Sequence, residues 1–177
     1  MDVNEEIIAQ YLQTVKKWFY MSDIAFKVPH NYSNIDLLAY NPDEGKYYDI
    51  EVKFRSAYTI SQKNLENDID FNKFVEQLIK PERQEAIRSI IGNEPTIKIF
   101  ITTYSLFGKS IEKREQIENE MKERLLKFGF ESEIWYFDNI IPDIYEKIEK
   151  SGRYNTELMQ TIRLIKTYTD DKKIARR

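Results

Sequence analysis

Two segments joined by a short turn predict adjacent β-strands, and this pair constrains the fold more than any other feature of the chain. The second segment alternates between two sets of residues, Tyr48, Ile50, Val52 and Phe54 on one side and Asp49, Glu51, Lys53 and Arg55 on the other. A two-residue period is typical of a β-strand. The first segment carries Asp36 inside the apolar run 35–39, and residues 41–46 between the segments include Asn, Pro, Asp and Gly, which favour turns.

A symmetrical closure of that turn brings charged side chains together. Tyr40 then pairs with Tyr47, and Asp36 lies opposite Glu51. Lys53 follows one step further on the same face. A slip of one residue would move the aspartate to the other face of the sheet. An aspartate within an apolar run costs free energy, which favours a functional role. The alternative is a half-exposed strand whose charged face is solvated.

The cluster of two acids and one lysine favours a divalent metal site. Two neighbouring carboxylates repel one another, and a divalent cation removes that repulsion. A lysine beside them can orient or deprotonate a metal-bound water. The chain contains no cysteine and one histidine, His30, which argues against a zinc site. Magnesium or manganese held by oxygen ligands is therefore the expected cofactor.

Asp36, followed on the next strand by Glu51-Val52-Lys53, resembles the motif of the PD-(D/E)XK nuclease superfamily. That group includes type II restriction enzymes, archaeal Holliday-junction resolvases and exonucleases related to the RecB nuclease domain. The resemblance implies that Asp36 and Glu51 are metal ligands and that the carbonyl oxygen of Val52 is a further ligand. It implies that Lys53 activates the attacking water or contacts phosphate. Ile35 stands where the family often has a proline.

The acid-X-lysine spacing alone is a weak signal in a chain that is 32% charged. The same spacing occurs at Glu44–Lys46, Asp170–Lys172 and Asp171–Lys173. An apolar middle residue, the flanking alternation and the preceding strand with its aspartate distinguish Glu51–Lys53 from these three. Together these features favour the nuclease-type site.

The first helix supplies a further candidate ligand. Apolar residues at helical spacing predict a helix over residues 4–20, capped by Asn4 or Asp2. Glu5 falls on its core-facing side. In many members of the superfamily a glutamate from this helix completes the metal site, and the resemblance assigns that role to Glu5. The alternative is that Glu5 is a first-turn acid favoured by the helix dipole.

Four other polar residues have open roles near the predicted site. His30 lies in a turn, where it either contacts substrate phosphate or is a surface residue. Arg55 continues the charged face, where it either contacts a neighbouring phosphate or pairs with a residue on an adjacent strand. Gln77 and Gln84 lie on predicted helices and either face the site or do not.

The rest of the chain contains further predicted strands and helices that indicate an α/β fold. It predicts a strand at 24–28, helices at 70–80 and 82–91, a buried strand at 96–103, a helix from Ser110 to Gly129, a strand at 133–137, a helix opened by Pro142, and a helix at 156–168. We expect a single domain over residues 1–177 with a central mixed sheet flanked by helices. The resemblance implies a restriction-endonuclease-like αβββαβ core over about 4–137, with helices at about 138–170 and a basic tail at 171–177 outside it.

Composition limits the remaining classes of function. No signal peptide and no apolar run long enough to span a bilayer are apparent, so we expect a cytoplasmic protein without a membrane partner. The glycines do not cluster, which argues against a P-loop or a dinucleotide-binding fingerprint. The net charge of −3 is mild evidence against tight, sequence-independent binding of DNA.

These observations favour a Mg²⁺- or Mn²⁺-dependent deoxyribonuclease. The resemblance implies products with a 5′-phosphate and a 3′-hydroxyl. DNA is the expected partner, RNA is an alternative substrate, and a homodimer is expected if the substrate has two-fold symmetry. The alternative function is a catalytically inactive nuclease-fold module for nucleic-acid binding or assembly. The two are distinguished by whether Asp36, Glu51 and Lys53 converge.

Overall fold

The structure is a computed structural model that describes residues 2–54, 60, 65, 67–108, 110–148 and 156–175. Arg55 and the side chains of the tail 171–177 lie outside the described residues. The described elements are α1 (Val3–Tyr11), a π-helical turn (Leu12–Lys16), β1 (Phe19–Val28), β2 (Asn31–Asn41), β3 (Lys46–Val52), α2 (Ile69–Ile79), α3 (Pro81–Ile91), β4 (Thr96–Thr102), α4 (Tyr104–Phe107), α5 (Ile111–Lys127), β5 (Ser132–Tyr136), α6 (Phe137–Lys147) and α7 (Glu157–Ala175).

The five strands form one open, mixed sheet in the order β1-β2-β3-β4-β5. The first three strands are antiparallel neighbours, whereas β3, β4 and β5 run parallel. Antiparallel neighbours need only short turns, and each parallel step needs a longer crossover. Helices α2 and α3 lie in the first crossover, and α4 and α5 lie in the second. The prediction of an α/β fold with a mixed sheet flanked by helices is confirmed.

Helices cover both faces of the sheet. One face packs against α1, α6 and α7 through a cluster that includes Leu37, Ile50 and Ile99. The other face packs against α2, α4 and α5 around Phe100, and against α3 through Ile87. Strand β3 is central and therefore buried on both sides. The alternative of a strand with a solvated charged face is wrong, because α3 covers that face.

The first helix is shorter than the predicted 4–20. Its α-helical part ends at Tyr11, a π-helical turn follows, and Lys17 turns the chain with a φ of 62°. Phe19 already belongs to β1, which is longer than the predicted strand 24–28. Trp18 nevertheless packs in the core, with its ring stacked 4.4 Å from that of Tyr48. The helical period extended too far because a linker residue also packs against the core.

The start of α6 also differs from the prediction, whereas one of the two predicted caps of α1 is observed. Helix α6 begins at Phe137, directly after β5, so that Pro142 lies inside the helix rather than at its start. Of the two predicted caps, Asp2 is the N-cap of α1 and accepts hydrogen bonds from the N–H groups of Asn4 and Glu5.

Candidate functional site

The β2–β3 hairpin closes in the predicted register. Tyr40 pairs with Tyr47, and the described pairing ends at Leu37 and Ile50. Asp36 and Glu51 occupy the next positions on the two strands. The predicted juxtaposition of these acids therefore follows from the observed register.

The carboxylate of Asp36 binds β3 where the pairing of the strands ends. The backbone N–H of Val52 donates a hydrogen bond of 2.7 Å to Asp36 Oδ2. This side-chain oxygen satisfies a buried donor, as a backbone carbonyl would in a continuing ladder. The hydrogen bond fixes the aspartate against the strand that carries Glu51.

Lys53 joins the two acids. Its Nζ atom lies 2.5 Å from Glu51 Oε1 and 3.8 Å from Asp36 Oδ2. Its backbone is fixed to β4, since its N–H donates to the carbonyl of Ile101 and its own carbonyl accepts from the hydroxyl of Thr102. The lysine side chain is 30% exposed, whereas that of Glu51 is 1% exposed. The three predicted residues therefore converge, and Lys53 connects the buried acids with the surface.

The environment of Asp36 disfavours its negative charge. Burial, followed by repulsion from Glu51, raises the pKa of Asp36 to about 7, although the positive charge of Lys53 opposes this effect. Burial lowers the pKa of Lys53, but the charges of Glu51 and Asp36 outweigh burial and the net pKa is raised. Lys53 therefore stays protonated at neutral pH, and its charge only partly offsets the effect of burial on Asp36.

A second set of charges, which the sequence analysis missed, lies beneath Glu51. Arg83 is fully buried and places Nη1 2.6 Å from Glu51 Oε2. The same guanidinium contacts both carboxylate oxygens of Asp49 through Nε and Nη2, at 2.7–3.1 Å. Lys98 Nζ lies 2.8 Å from Asp49 Oδ2 and 2.6 Å from the side-chain oxygen of Gln84.

These ion pairs form a chain of alternating charge. Its members, in order, are Lys98, Asp49, Arg83, Glu51, Lys53 and Asp36. Burial raises the pKa of Asp49, but the positive charges of Arg83 and Lys98 outweigh burial and hold that pKa below its usual value. Charges of this kind are tolerated in a protein interior only when they are paired. The predicted site is therefore the end of a buried charge chain, and it reaches the surface at the partly exposed Lys53.

Both missed cations left a sequence signal. Arg83 lies four residues before Ile87, which is buried on the same side of α3. Lys98 lies between Ile97 and Ile99 in a buried strand. A charge between two isoleucines is as costly at Lys98 as it is at Asp36, whereas Arg83 lies among polar residues and only its spacing to Ile87 indicates a buried position.

Glu5 takes part in the start of α1. Its Oε2 atom accepts a hydrogen bond of 3.0 Å from the N–H of Asp2, which completes a capping box. Burial raises the pKa of Glu5, and the charge of Asp23 contributes to the rise. Asp23 interrupts the β1–β2 ladder between its Ser22 and Ile24 pairs, opposite Asp36. Glu5 is therefore a first-turn acid near the strand beside the site, and its role as a metal ligand stays a prediction.

The other candidates lie at different distances from the site. His30 is exposed in the turn between β1 and β2, about 20 Å from Asp36 along the strand at roughly 3.3 Å per residue. Gln77 donates to the hydroxyl of Ser33. Gln84 donates to the carbonyl of Leu78 and accepts from Lys98, so it contacts the buried end of the charge chain and none of the three predicted site residues.

The donor atoms at the site are consistent with a hard divalent cation. The carboxylates of Asp36 and Glu51 are oxygen donors of the kind that magnesium and manganese prefer. Within the described part of the chain, no group of three or more Asp, Glu, His or Cys side chains is arranged to hold a metal. A metal at this site would therefore use two carboxylates, the carbonyl of Val52 and water.

Comparisons with known proteins identify no relative. No protein-family model matches the chain, and neither the curated proteins nor the solved structures include a significant match. No helix among the described residues is long and apolar enough to span a membrane.

Proposed function

We propose that this protein is a metal-dependent deoxyribonuclease that hydrolyses phosphodiester bonds at Asp36, Glu51 and Lys53. The observation that carries the proposal is the position of the Lys53 ammonium, which contacts one oxygen of each carboxylate at the end of the β2–β3 pairing. The resemblance of these residues to the PD-(D/E)XK motif supports it. The order of one helix, three strands, helices and a parallel strand also supports the restriction-endonuclease-like core.

The acidic residues would hold the cofactor. Asp36, Glu51 and the carbonyl oxygen of Val52 would bind Mg²⁺ or Mn²⁺, and Glu5, which the resemblance adds, would join them only by leaving its hydrogen bond to Asp2. Such a cation supplies Lewis acidity at the scissile phosphate and makes a bound water more acidic. A bound cation would offset the repulsion between Asp36 and Glu51, which together with burial raises the pKa of Asp36, and would thereby favour the ionised carboxylate.

Lys53 would act as a hydrogen-bond donor. Its pKa is raised by the two acids, so it carries a proton at neutral pH and does not accept one from water. A protonated lysine that is partly exposed at the end of the charge chain can orient the attacking water or bind a phosphate oxygen. Of the two roles that the motif implies, these contacts favour positioning over deprotonation.

A second function is favoured by a specific observation. Both carboxylate oxygens of Glu51 already have cationic partners, Lys53 at Oε1 and Arg83 at Oε2. A closed ion-pair chain of this kind also suits a catalytically inactive module for nucleic-acid binding or assembly. Cleavage activity distinguishes the two functions.

The proposal extends to the setting of the reaction. DNA is the substrate, RNA is the alternative, and the products carry a 5′-phosphate. The protein acts in the cytoplasm, and a homodimer would match a substrate with two-fold symmetry. Light scattering at high protein concentration tests the dimer, which a monomeric mass would rule out.

The experiment compares cleavage of labelled single-stranded, double-stranded, flapped and four-way-junction DNA, and of RNA, in Mg²⁺ or Mn²⁺. Asp36→Asn and Lys53→Met remove charge from the site with little change of shape. The matched controls are Glu44→Gln and Lys46→Met, since this exposed ion pair has the same acid-X-lysine spacing. The proposal is supported if the wild type and both control variants cut in a metal-dependent way and both site variants do not. No cutting, or equal cutting by all the proteins, favours the binding module.

A further inference from the structure

The guanidinium of Arg83 is fixed by two buried ion pairs. It is fully buried in the first turn of α3 and forms a two-pronged contact with Asp49 through Nε and Nη2. A planar guanidinium with two such bonds has a fixed orientation. The direction of its remaining nitrogen, Nη1, is therefore set by Asp49.

Asp49, which anchors Arg83, is itself held by a residue of β4. Lys98 Nζ contacts Asp49 Oδ2 at 2.8 Å, and both side chains are fully buried. Asp49 therefore has cations on two sides, one on a neighbouring strand and one on a helix. The position of Arg83 is determined by the sheet as well as by α3.

Arg83 Nη1 in turn holds one oxygen of Glu51. It lies 2.6 Å from Oε2, while Oε1 faces the ammonium of Lys53. A glutamate has several rotatable bonds and in a free state can offer a cation either one oxygen or both. With Oε2 bound to a buried cation, only Oε1 is presented at the site.

We infer that Arg83 is a positioning residue that makes Glu51 a one-oxygen metal ligand and thereby favours small, six-coordinate cations over Ca²⁺. The inference rests on the proposed function and adds a residue outside its motif. Mg²⁺ requires near-octahedral geometry with short bonds, whereas Ca²⁺ accepts more ligands and often a bidentate carboxylate. Residues that orient a metal ligand typically change metal affinity about 10- to 100-fold when they are replaced.

The test measures Mn²⁺ affinity by electron paramagnetic resonance, with Ca²⁺ as a competitor, and cleavage as a function of metal concentration. Arg83→Lys keeps the positive charge but cannot bridge Asp49 and Glu51 as a fork. Asp49→Asn keeps Arg83 but weakens its anchor. Arg88→Lys, an exposed arginine on the same helix, is the control.

The expected result is a loss of Mn²⁺ affinity of about tenfold or more in Arg83→Lys, with a smaller loss in Asp49→Asn. The preference for Mn²⁺ over Ca²⁺ falls in the same order. The metal concentration for half-maximal cleavage rises by a larger factor than the factor by which kcat at saturating metal falls. Arg88→Lys behaves as the wild type.

Three results would overturn the inference. If the wild type binds Mn²⁺ and cuts DNA, and both folded variants keep its affinity and metal preference, Arg83 only balances charge in the core. If neither variant folds, its role is likewise structural. If the wild type neither binds Mn²⁺ nor cuts nucleic acid, the proposed function fails and this inference fails with it.

Discussion

The carboxylate of Asp36 accepts a hydrogen bond of 2.7 Å from the backbone N–H of Val52, across the point where the β2–β3 pairing ends. The aspartate therefore has a structural role beside its proposed role as a metal ligand. An asparagine can keep the first role, because its side-chain oxygen also accepts a hydrogen bond, but it lacks the charge needed for the second.

We expect Asp36→Asn to separate these two roles. The variant should keep the fold and show no loss of stability at pH 8, because it no longer buries a charge whose environment is unfavourable. It should lose the thermal stabilisation that Mg²⁺ or Mn²⁺ gives to the wild type, together with cleavage. Differential scanning calorimetry with and without metal measures both effects. An equal metal response in Asp36→Asn and wild type would remove Asp36 from the metal site.

The raised pKa of Asp36 makes the metal-free protein sensitive to pH. The folded-state pKa of about 7 exceeds the ordinary value of 3.8, so between these values the folded protein binds more protons than the unfolded chain. The contribution of Asp36 to stability is therefore largest below pH 4 and is lost as pH rises toward 7. Over that window the loss reaches at most roughly 4 kcal/mol.

Urea denaturation at several pH values measures this contribution as the difference between wild type and Asp36→Asn. Taking the difference removes the titration of other carboxyl groups, which also affects stability. The free energy of unfolding of the wild type should fall relative to that of the variant between pH 4 and pH 7. A difference that stays constant across this range would contradict the assignment.

The ammonium of Lys53 lies between the two acids and balances their charge. Its removal should therefore make the stability of the protein depend more strongly on a bound metal ion. In Lys53→Met the oxygen of Glu51 that faces the lysine loses its partner, and we expect a loss of about 1–3 kcal/mol in the metal-free state. Added Mg²⁺ should raise the melting temperature of this variant more than that of the wild type, although cleavage is lost. Lys46→Met, at an exposed ion pair, is the control. A smaller metal effect in Lys53→Met than in the wild type would show that the lysine does not occupy the cation position.

The sequence was sufficient to predict the positions of Asp36, Glu51 and Lys53, because local patterns determine them. The turn at 41–46 set the register, and the alternation of β3 then set which side chains share a face. The partner of the charged face was not predictable in this way, because Arg83 reaches Asp49 and Glu51 from a helix more than thirty positions later. The helical period also misplaced the end of α1, since Trp18 packs in the core from a linker.

The two buried cations should differ in their effect on stability, because they leave different charges unpaired. Arg83→Met deprives both Asp49 and Glu51 of their fork, and breaking a buried pair of this kind costs about 3–5 kcal/mol. Lys98→Met leaves Asp49 with the bidentate contact from Arg83, so the loss should be smaller. Urea denaturation at pH 7 measures both losses, with Lys122→Met at a partly exposed helix pair as the control. If Lys98→Met is the more damaging change, Asp49 depends mainly on β4, and Arg83 is not the centre of the charge chain.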